Sequence, residues 1–251
     1  FACYDLKNVK STGYDVLVNR PKVAAYRAPS APMAAFAVES TIDQVAAKIG
    51  MHPLDLRIKN AAKEGTLASY GPTYGPIGIG PTLEAVKNHP HMRARLGKNQ
   101  GRGMACGFWF NFGGQTCTDI NVGADGTVSL TIGTVDVGGA RASMSLIAAE
   151  ELGIPYEQVK CTIADTSSLG HNDMTEGSRG TFSTGMATIF AARDIVQILR
   201  ERAAKTWGID VNDVQWKDGQ ATAKGAKHKK LSPLSLAKIA AKAGRTGGPI
   251  A

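Results

Sequence analysis

The chain has 251 residues, 43% hydrophobic and 20% charged, a balance that excludes a wholly disordered or collagen-like polymer. No run approaches the roughly 18 consecutive apolar residues of a membrane span. The four cysteines (Cys3, Cys106, Cys117, Cys161) form no C-x-x-C pair, which excludes a zinc framework or a small secreted disulfide scaffold.

The length suits one large domain or two small ones. The net charge of +8 is local: from Lys217 onward eight basic residues face one acid, Asp218, so the earlier part is near neutral. No stacking aromatics accompany Lys227-His-Lys-Lys230, so a solvated basic loop is expected there and no nucleic-acid partner. The cysteine usage suits a reducing compartment, the cytoplasm, with the periplasm as the alternative. The chain starts at Phe1 and stops at Ala251, and reads as an internal fragment of a longer protein.

In chain order, residues 14–26 are expected to be extended, with Tyr14, Val16 and Val18 alternating. From Met33 the period becomes helical: Val38, Ile42, Val45, Ala46 and Ile49 share a face, and Gly50 stands at the C′ position. Pro53 opens a second short helix through Asn60. Residues 65–82 are too rich in Gly and Pro for regular structure and read as a connector. Met104–Phe112 reads as a strand. Ala124-Asp-Gly126 between two alternating runs predicts a hairpin.

A helix over about 141–152 follows, then a strand from Val159 to Ala164. The longest helix is expected over Ser183–Trp207, with Met186, Ile189, Val196, Leu199, Ala203 and Trp207 on its inner face. A second Asp-Gly hairpin spans Val214–Ala223, and a last helix Leu236–Ala243. The fold class is therefore α+β, with mixed sheets, hairpins and packed helices in two lobes.

Three loops place small residues where a bulky ligand would meet backbone: Ala24–Pro32, Asp136–Ala142 and Thr175–Thr181. Each leads toward a helix, whose first N–H groups lack partners and whose dipole favours negative charge. Three such turns point to an extended anionic ligand. Other constellations fail. There is no phosphate loop, no G-x-G-x-x-G and no G-x-S-x-G. Asp165, His171 and Ser178 share one short loop without an oxyanion site. His89 and His91 around Pro90 read as a surface turn, and Glu39 and Arg57 as ordinary helix-surface charges.

Several runs then occur together: Ala25-Tyr-Arg-Ala-Pro-Ser-Ala-Pro32, Phe36-Ala-Val-Glu-Ser40, and Gly50-x-x-Pro-Leu-Asp-Leu-Arg57 with Asn60. Further on come Gly133-Thr-Val-Asp-Val-Gly138, Ala148–Pro155, Asp165-Thr166, Gly177-Ser178 and Gly185-x-Ala187. In order and spacing the chain resembles the large, molybdopterin-binding subunit of the xanthine dehydrogenase and aldehyde oxidase family.

The resemblance implies a molybdenum hydroxylase that oxidises an aldehyde or N-heterocycle, takes its oxygen from water and passes electrons to iron–sulfur clusters. It implies a molybdopterin whose nucleotide form is left open. Iron–sulfur clusters and FAD would sit on partner domains or subunits, and the remainder of the large subunit would complete the site. Residues 1–64 would end a first cofactor-binding lobe, 65–100 connect, and 101–251 form most of a second lobe that is incomplete at its C-terminus.

By position the resemblance assigns Ala25 and Arg27, Gly138 and Gly139, and Thr175, Gly177, Ser178, Gly180 and Thr181 to the cofactor. It assigns Tyr26 and Phe110 to a planar substrate, which an aromatic wall would orient by offset stacking.

Departures are also visible. Gly139 stands where the family commonly has Gln, so one cofactor hydrogen bond is missing, and Ala28 stands where the carbon monoxide dehydrogenase branch has Cys, against a copper site. The family's catalytic Glu lies in a late Gly-x-Gly-Glu segment that this chain lacks, so no catalytic residue and no protein ligand to the metal is assigned, and the fragment alone should be inactive. Glu39, Glu150, Glu151 and Glu176 do not replace it. The other reading is a cofactor-free interaction or assembly module of the same fold.

Overall fold

A computed structural model describes residues 1–22, 25–163 and 165–251, which divide into two units, Phe1–Trp109 and Phe110–Ala251. In the first unit, helix α1 runs Ala31–Lys48 and is followed by Gly50 at φ 66°, the left-handed stop its glycine permits. Helix α2 spans Pro53–Asn60, its first turn capped by His52, whose Nδ1 accepts the Leu54 N–H at 3.2 Å. Helices α3 (Ile79–Asn88) and α4 (Pro90–Arg93) complete the unit. Tyr4, Leu54, Leu83 and Cys106 form its apolar interior, with Val38 and Ile42 packed against them.

An ionic group sits in that interior. The Tyr4 hydroxyl donates to Glu39 Oε1 at 2.6 Å, and Arg57 Nε and the Cys106 N–H donate to Glu39 Oε2, each at 2.8 Å. Arg57 also reaches Asp43 Oδ1 at 2.7 Å and the carbonyls of Pro53 and Glu39. Burial, then the hydrogen bond to Glu39, holds the Tyr4 phenol well above its ordinary range. Glu39 and Arg57 are therefore buried partners and not surface charges. They lie on the inner stripes of their helices, Glu39 with Ala46 and Arg57 with Leu54.

Three other expectations for this part of the chain change. Residues 14–22 enter no strand ladder, and Tyr14, Val16, Leu17 and Val18 are exposed; Val23 and Ala24, the end of that run and the start of the first loop, lie outside the described residues. The connector is not wholly irregular, because α3 begins at Ile79. Its Pro81 is tolerated in the first turn, where an N–H has no helical partner to lose. Met104–Phe112 forms no strand: the Cys106 N–H goes to a carboxylate and the Phe112 N–H to the Gly177 carbonyl, leaving no ladder.

The second unit begins with strands β1 (Thr118–Val122) and β2 (Val128–Ile132), antiparallel with Thr118 opposite Ile132. Helix α5 (Ala140–Leu152) crosses over to strand β3 (Val159–Ile163), which lies parallel to β2. Ala164, the expected end of that strand, lies outside the described residues. A π-helical turn over Gly180–Thr184 leads into helix α6, Gly185–Trp207. A second sheet holds strands β4 (Val214–Lys217), β5 (Gln220–Ala223) and β6 (Leu234–Ser235), followed by helices α7 (Leu236–Ala240) and α8 (Ala243–Thr246).

The expected α+β class with mixed sheets is present, and both Asp-Gly hairpins form. At the second, Asp218 and Gly219 both hold positive φ, 49° and 70°, the two-residue turn whose twist matches its strands.

One face of β2 is covered, with Val128, Leu130 and Ile132 inward, and α5 and α6 supply Met144, Ala148, Leu152, Ala192, Ile195 and Leu199 to the same core. The buried row of α6 is Thr188, Ala192, Ile195, Leu199 and Ala203; Met186 is exposed, so the inner face is rotated from the expected one. The basic loop folds onto Asp213, which accepts from Lys227 Nζ at 2.8 Å and contacts His228 Nε2 at 3.2 Å.

Candidate functional site

Two of the three ligand-facing loops lie in the second unit, and both approach the same end of one helix pair. Met144 meets Thr188 (3.8 Å) and Glu151 meets Arg193 (3.0 Å), so α5 and α6 advance in the same direction with their N-termini together. Thr134, just before the 136–142 loop, shares a 3.0 Å hydroxyl contact with Thr175 at the start of the 175–181 loop. Side-by-side helix starts align their dipoles, a setting for negative charge.

The loops differ in what they leave open. In the first of the two, Asp136 Oδ1 accepts the N–H groups of Gly139 and Ala140, each at 2.8 Å. Burial raises the Asp136 carboxyl, but the N–H groups of Ala140, Gly139 and Gly138 outweigh it and hold the group below the ordinary carboxylate range. The amides expected to face a ligand at Gly139 thus already serve an internal carboxylate. What Gly138 and Gly139 offer is room, since no atom lies within 4 Å of a Cβ built on either.

In the 175–181 loop, the Gly177 carbonyl accepts from the Phe112 N–H (2.9 Å) and the Ser178 carbonyl from the Asn111 side-chain amide (2.9 Å). The N–H groups of Gly177 and Ser178 have no partner among the described residues. Both residues are left-handed, at φ 52° and 59°. Ser178 and Thr181 are exposed with their hydroxyls, and Gly180 and Thr181 open the π-helical turn, a local irregularity that recurs at ligand sites. A Cβ on Gly177 would strike Phe112, so that glycine is required by close approach as well as by φ.

Phe110 lies half-exposed at the start of this unit, one residue before Asn111, and so beside the loop. Phe112, which the sequence reading did not single out, is the aromatic packed on Gly177. Arg179, a charge of the same loop that the sequence does not assign to the cofactor, is buried to 1% exposure.

In the first unit Ala25, Tyr26 and Arg27 are exposed, and the turn after them carries two strained residues, Ala28 at φ 50° and Ser30 at φ 60°. His171 pairs with Asp173 (3.0 Å) while Asp165 is engaged by Ser167 and Ser168, so no triad is assembled. His89 Nδ1 caps the N–H of His91 at 3.2 Å. Among the described residues no helix is long and apolar enough to cross a membrane.

The depressed Asp136 carboxyl makes a pH prediction. Its contribution to α5 is complete above the unfolded aspartate value of about 4 and is lost as pH falls through the lower folded value. Protection of the amides at the start of α5, measured against their intrinsic exchange rate at each pH, should therefore fall in acid for the native sequence and not for Asp136→Asn, which is already weakened at neutral pH. Identical profiles would remove Asp136 as the cap.

The second unit is thus an α+β domain built on a β-α-β unit, with two unpartnered N–H groups in the loop that leads into α6. Residues 83–251 match the family described as a molybdopterin cofactor-binding domain, and residues 1–61 match a second family of the same description. The chain belongs to the molybdopterin cofactor-binding domain family, and its relatives include xanthine dehydrogenase molybdenum-binding subunits and aldehyde oxidoreductases.

It is 27% identical to an aldehyde oxidoreductase of Megalodesulfovibrio gigas over 90% of this chain and 27% of that protein. It is 30% identical to a xanthine dehydrogenase of Drosophila pseudoobscura pseudoobscura over 77% of this chain and 16% of that protein. Among solved structures it is similar in fold to a Cu,Mo-CO dehydrogenase in its carbon monoxide-reduced state, with TM-score 0.68, 23% identity, and coverage of 86% of this chain and 31% of that one. The chain thus spans less than a third of the length of these relatives.

Proposed function

We propose that this chain is the cofactor-holding part of a molybdenum hydroxylase that oxidises an aldehyde or an N-heterocycle. The observation that carries the reading is the pair of unpartnered N–H groups at Gly177 and Ser178, set in a left-handed turn beside the starts of α5 and α6. Those donors, the hydroxyls of Ser178 and Thr181 and the open space over Gly138 and Gly139 fit an anionic pterin that needs no Cys or His ligand.

In this reading Thr175, Gly177, Ser178, Gly180 and Thr181 hold the pterin or its phosphate. Gly138 and Gly139 contribute by letting it approach, not through the Gly139 amide, which Asp136 occupies. Ala25 and Arg27 are assigned to the cofactor by the resemblance. Bound molybdenum–pterin supplies two-electron oxidation with water as the oxygen source. The chain's own part is to bind and orient the group, and the resemblance assigns Tyr26 and Phe110 each to the substrate.

Residues 1–64 end one lobe, 65–100 connect, and 101–251 form most of another. The catalytic carboxylate, the iron–sulfur clusters and the flavin belong to the remainder of the protein and its partners, so this piece alone is inactive.

Full-length protein purified from its own host is expected to contain about one molybdenum and one pterin per copy of this chain. Pure, active protein without either would sink the reading and favour an interaction module.

A further inference from the structure

The strongest unassigned feature is Arg179. Its guanidinium is 1% exposed and meets four backbone carbonyls. Nε donates to Gly113 at 2.5 Å, one terminal nitrogen to Asp173 (2.8 Å) and Met174 (3.3 Å), and the other to Gln115. Four carbonyls on one planar fork tie together three stretches that touch in no regular ladder: 113–115, 173–174 and the 175–181 loop itself.

The same seam is closed by the Asp173 N–H donating to the Gln115 carbonyl (3.0 Å) and by Ser183 Oγ donating to the Gly113 carbonyl (2.9 Å). Just above it, Gly177 and Ser178 hold left-handed backbone, which is costly for a serine and persists only where neighbours fix it. Arg179 is the residue directly after that strained pair.

The geometry points to Arg179 as the positioning residue of the cofactor loop. Its fork anchors the loop from below, so that the free N–H groups of Gly177 and Ser178 stay aimed outward at an anionic group. This rests on the cofactor reading above and adds to it a residue that touches no cofactor. Arginine is needed for its shape, because a lysine keeps the charge but cannot reach carbonyls on both other stretches at once. Gly114 serves the same fork: a Cβ there would lie 2.9 Å from Arg179 Nε and 2.6 Å from Asp173 Oδ2.

The test uses full-length protein with Arg179→Met, Arg179→Lys and Gly114→Ala, the last displacing the guanidinium without deleting it. Three quantities are read: molybdenum and pterin per chain, the rate at which pterin is lost on dilution, and amide exchange over 173–183 against 191–207.

All soluble variants are expected to exchange faster over 173–183 with 191–207 unchanged, and to lose pterin about 10- to 100-fold faster, the range for outer-shell partners of a bound group. Arg179→Lys should resemble Arg179→Met. If Arg179→Met is insoluble, Arg179→Lys and Gly114→Ala decide.

Faster loop exchange with native pterin retention would make Arg179 merely structural and overturn the proposal. Native retention in Arg179→Lys alone would replace the fork by simple charge, and so also overturn it. Native protein devoid of molybdenum and pterin would instead overturn the cofactor reading, a result told apart by its appearance in the unmutated chain.

Discussion

Arg57→Met is expected to destabilise the first unit by about 3–5 kcal/mol, the usual cost of removing one partner from a buried ion pair. The charge left behind is Glu39, itself buried, which would keep only the Tyr4 hydroxyl and the Cys106 N–H as partners. Removing the other partner is no easier. Glu39→Leu strands the Tyr4 hydroxyl and the Cys106 N–H, each such neutral orphan costing about 1–3 kcal/mol, and leaves Arg57 with only Asp43 and two backbone carbonyls.

The double variant should recover part of the loss, since a buried pair can be replaced by apolar side chains of similar volume. Recovery must stop short of complete, because Tyr4 and Cys106 remain unpaired. Urea unfolding followed by amide exchange over residues 31–61 measures all three variants. An Arg57→Met loss below about 1 kcal/mol would return Arg57 to the status of a surface charge, where ion pairs are worth that little.

That ion pair marks where the sequence was hardest to read. Charge type alone makes Glu39 and Arg57 look solvated, yet Glu39, Ile42 and Ala46 recur at helical spacing, as do Leu54, Arg57 and Ile58. Position on the stripe, not residue type, carried the information.

Features set by local chemistry were legible. Asp-Gly turns between alternating runs gave both hairpins, and Gly50, Gly153 and Gly208 ended their helices where the pattern stopped. What escaped depends on distant partners. Met104–Phe112 has strand-forming residues, but its N–H groups are taken by Glu39 and Gly177, 67 and 65 residues away, so no ladder forms.

The candidate site divides the same way. Its small-residue loops before helices stand out in the sequence. The occupation of Gly139 by Asp136 and the burial of Arg179 beneath the loop are tertiary facts that no spacing declares.

Two of those helix-ending glycines provide a controlled comparison and the second large effect. Gly153 and Gly208 follow α5 and α6 at nearly equal φ, 69° and 67°, so alanine at either carries a similar left-handed penalty of about 1–2 kcal/mol. Their surroundings differ. A Cβ on Gly208 meets nothing within 4 Å, whereas one on Gly153 would lie 2.6 Å from the Gly219 nitrogen and 3.1 Å from the Asp218 Cα.

Gly153 thus admits the tip of the β4–β5 hairpin against the end of α5, a contact that Trp216 Nε1 secures by donating to the Leu152 carbonyl at 2.9 Å. Backbone cannot retreat as a side-chain tip can, so overpacking adds about 1–3 kcal/mol at Gly153 only. Gly153→Ala is therefore expected to cost about 2–5 kcal/mol in all, against about 1–2 for Gly208→Ala.

The excess also has a direction. It should speed exchange in β4, β5 and the last turn of α5 while leaving the last turn of α6 as it was. Equal losses for the two alanines would show that the hairpin tip does not bear on α5, and that only the turn conformation matters at both positions.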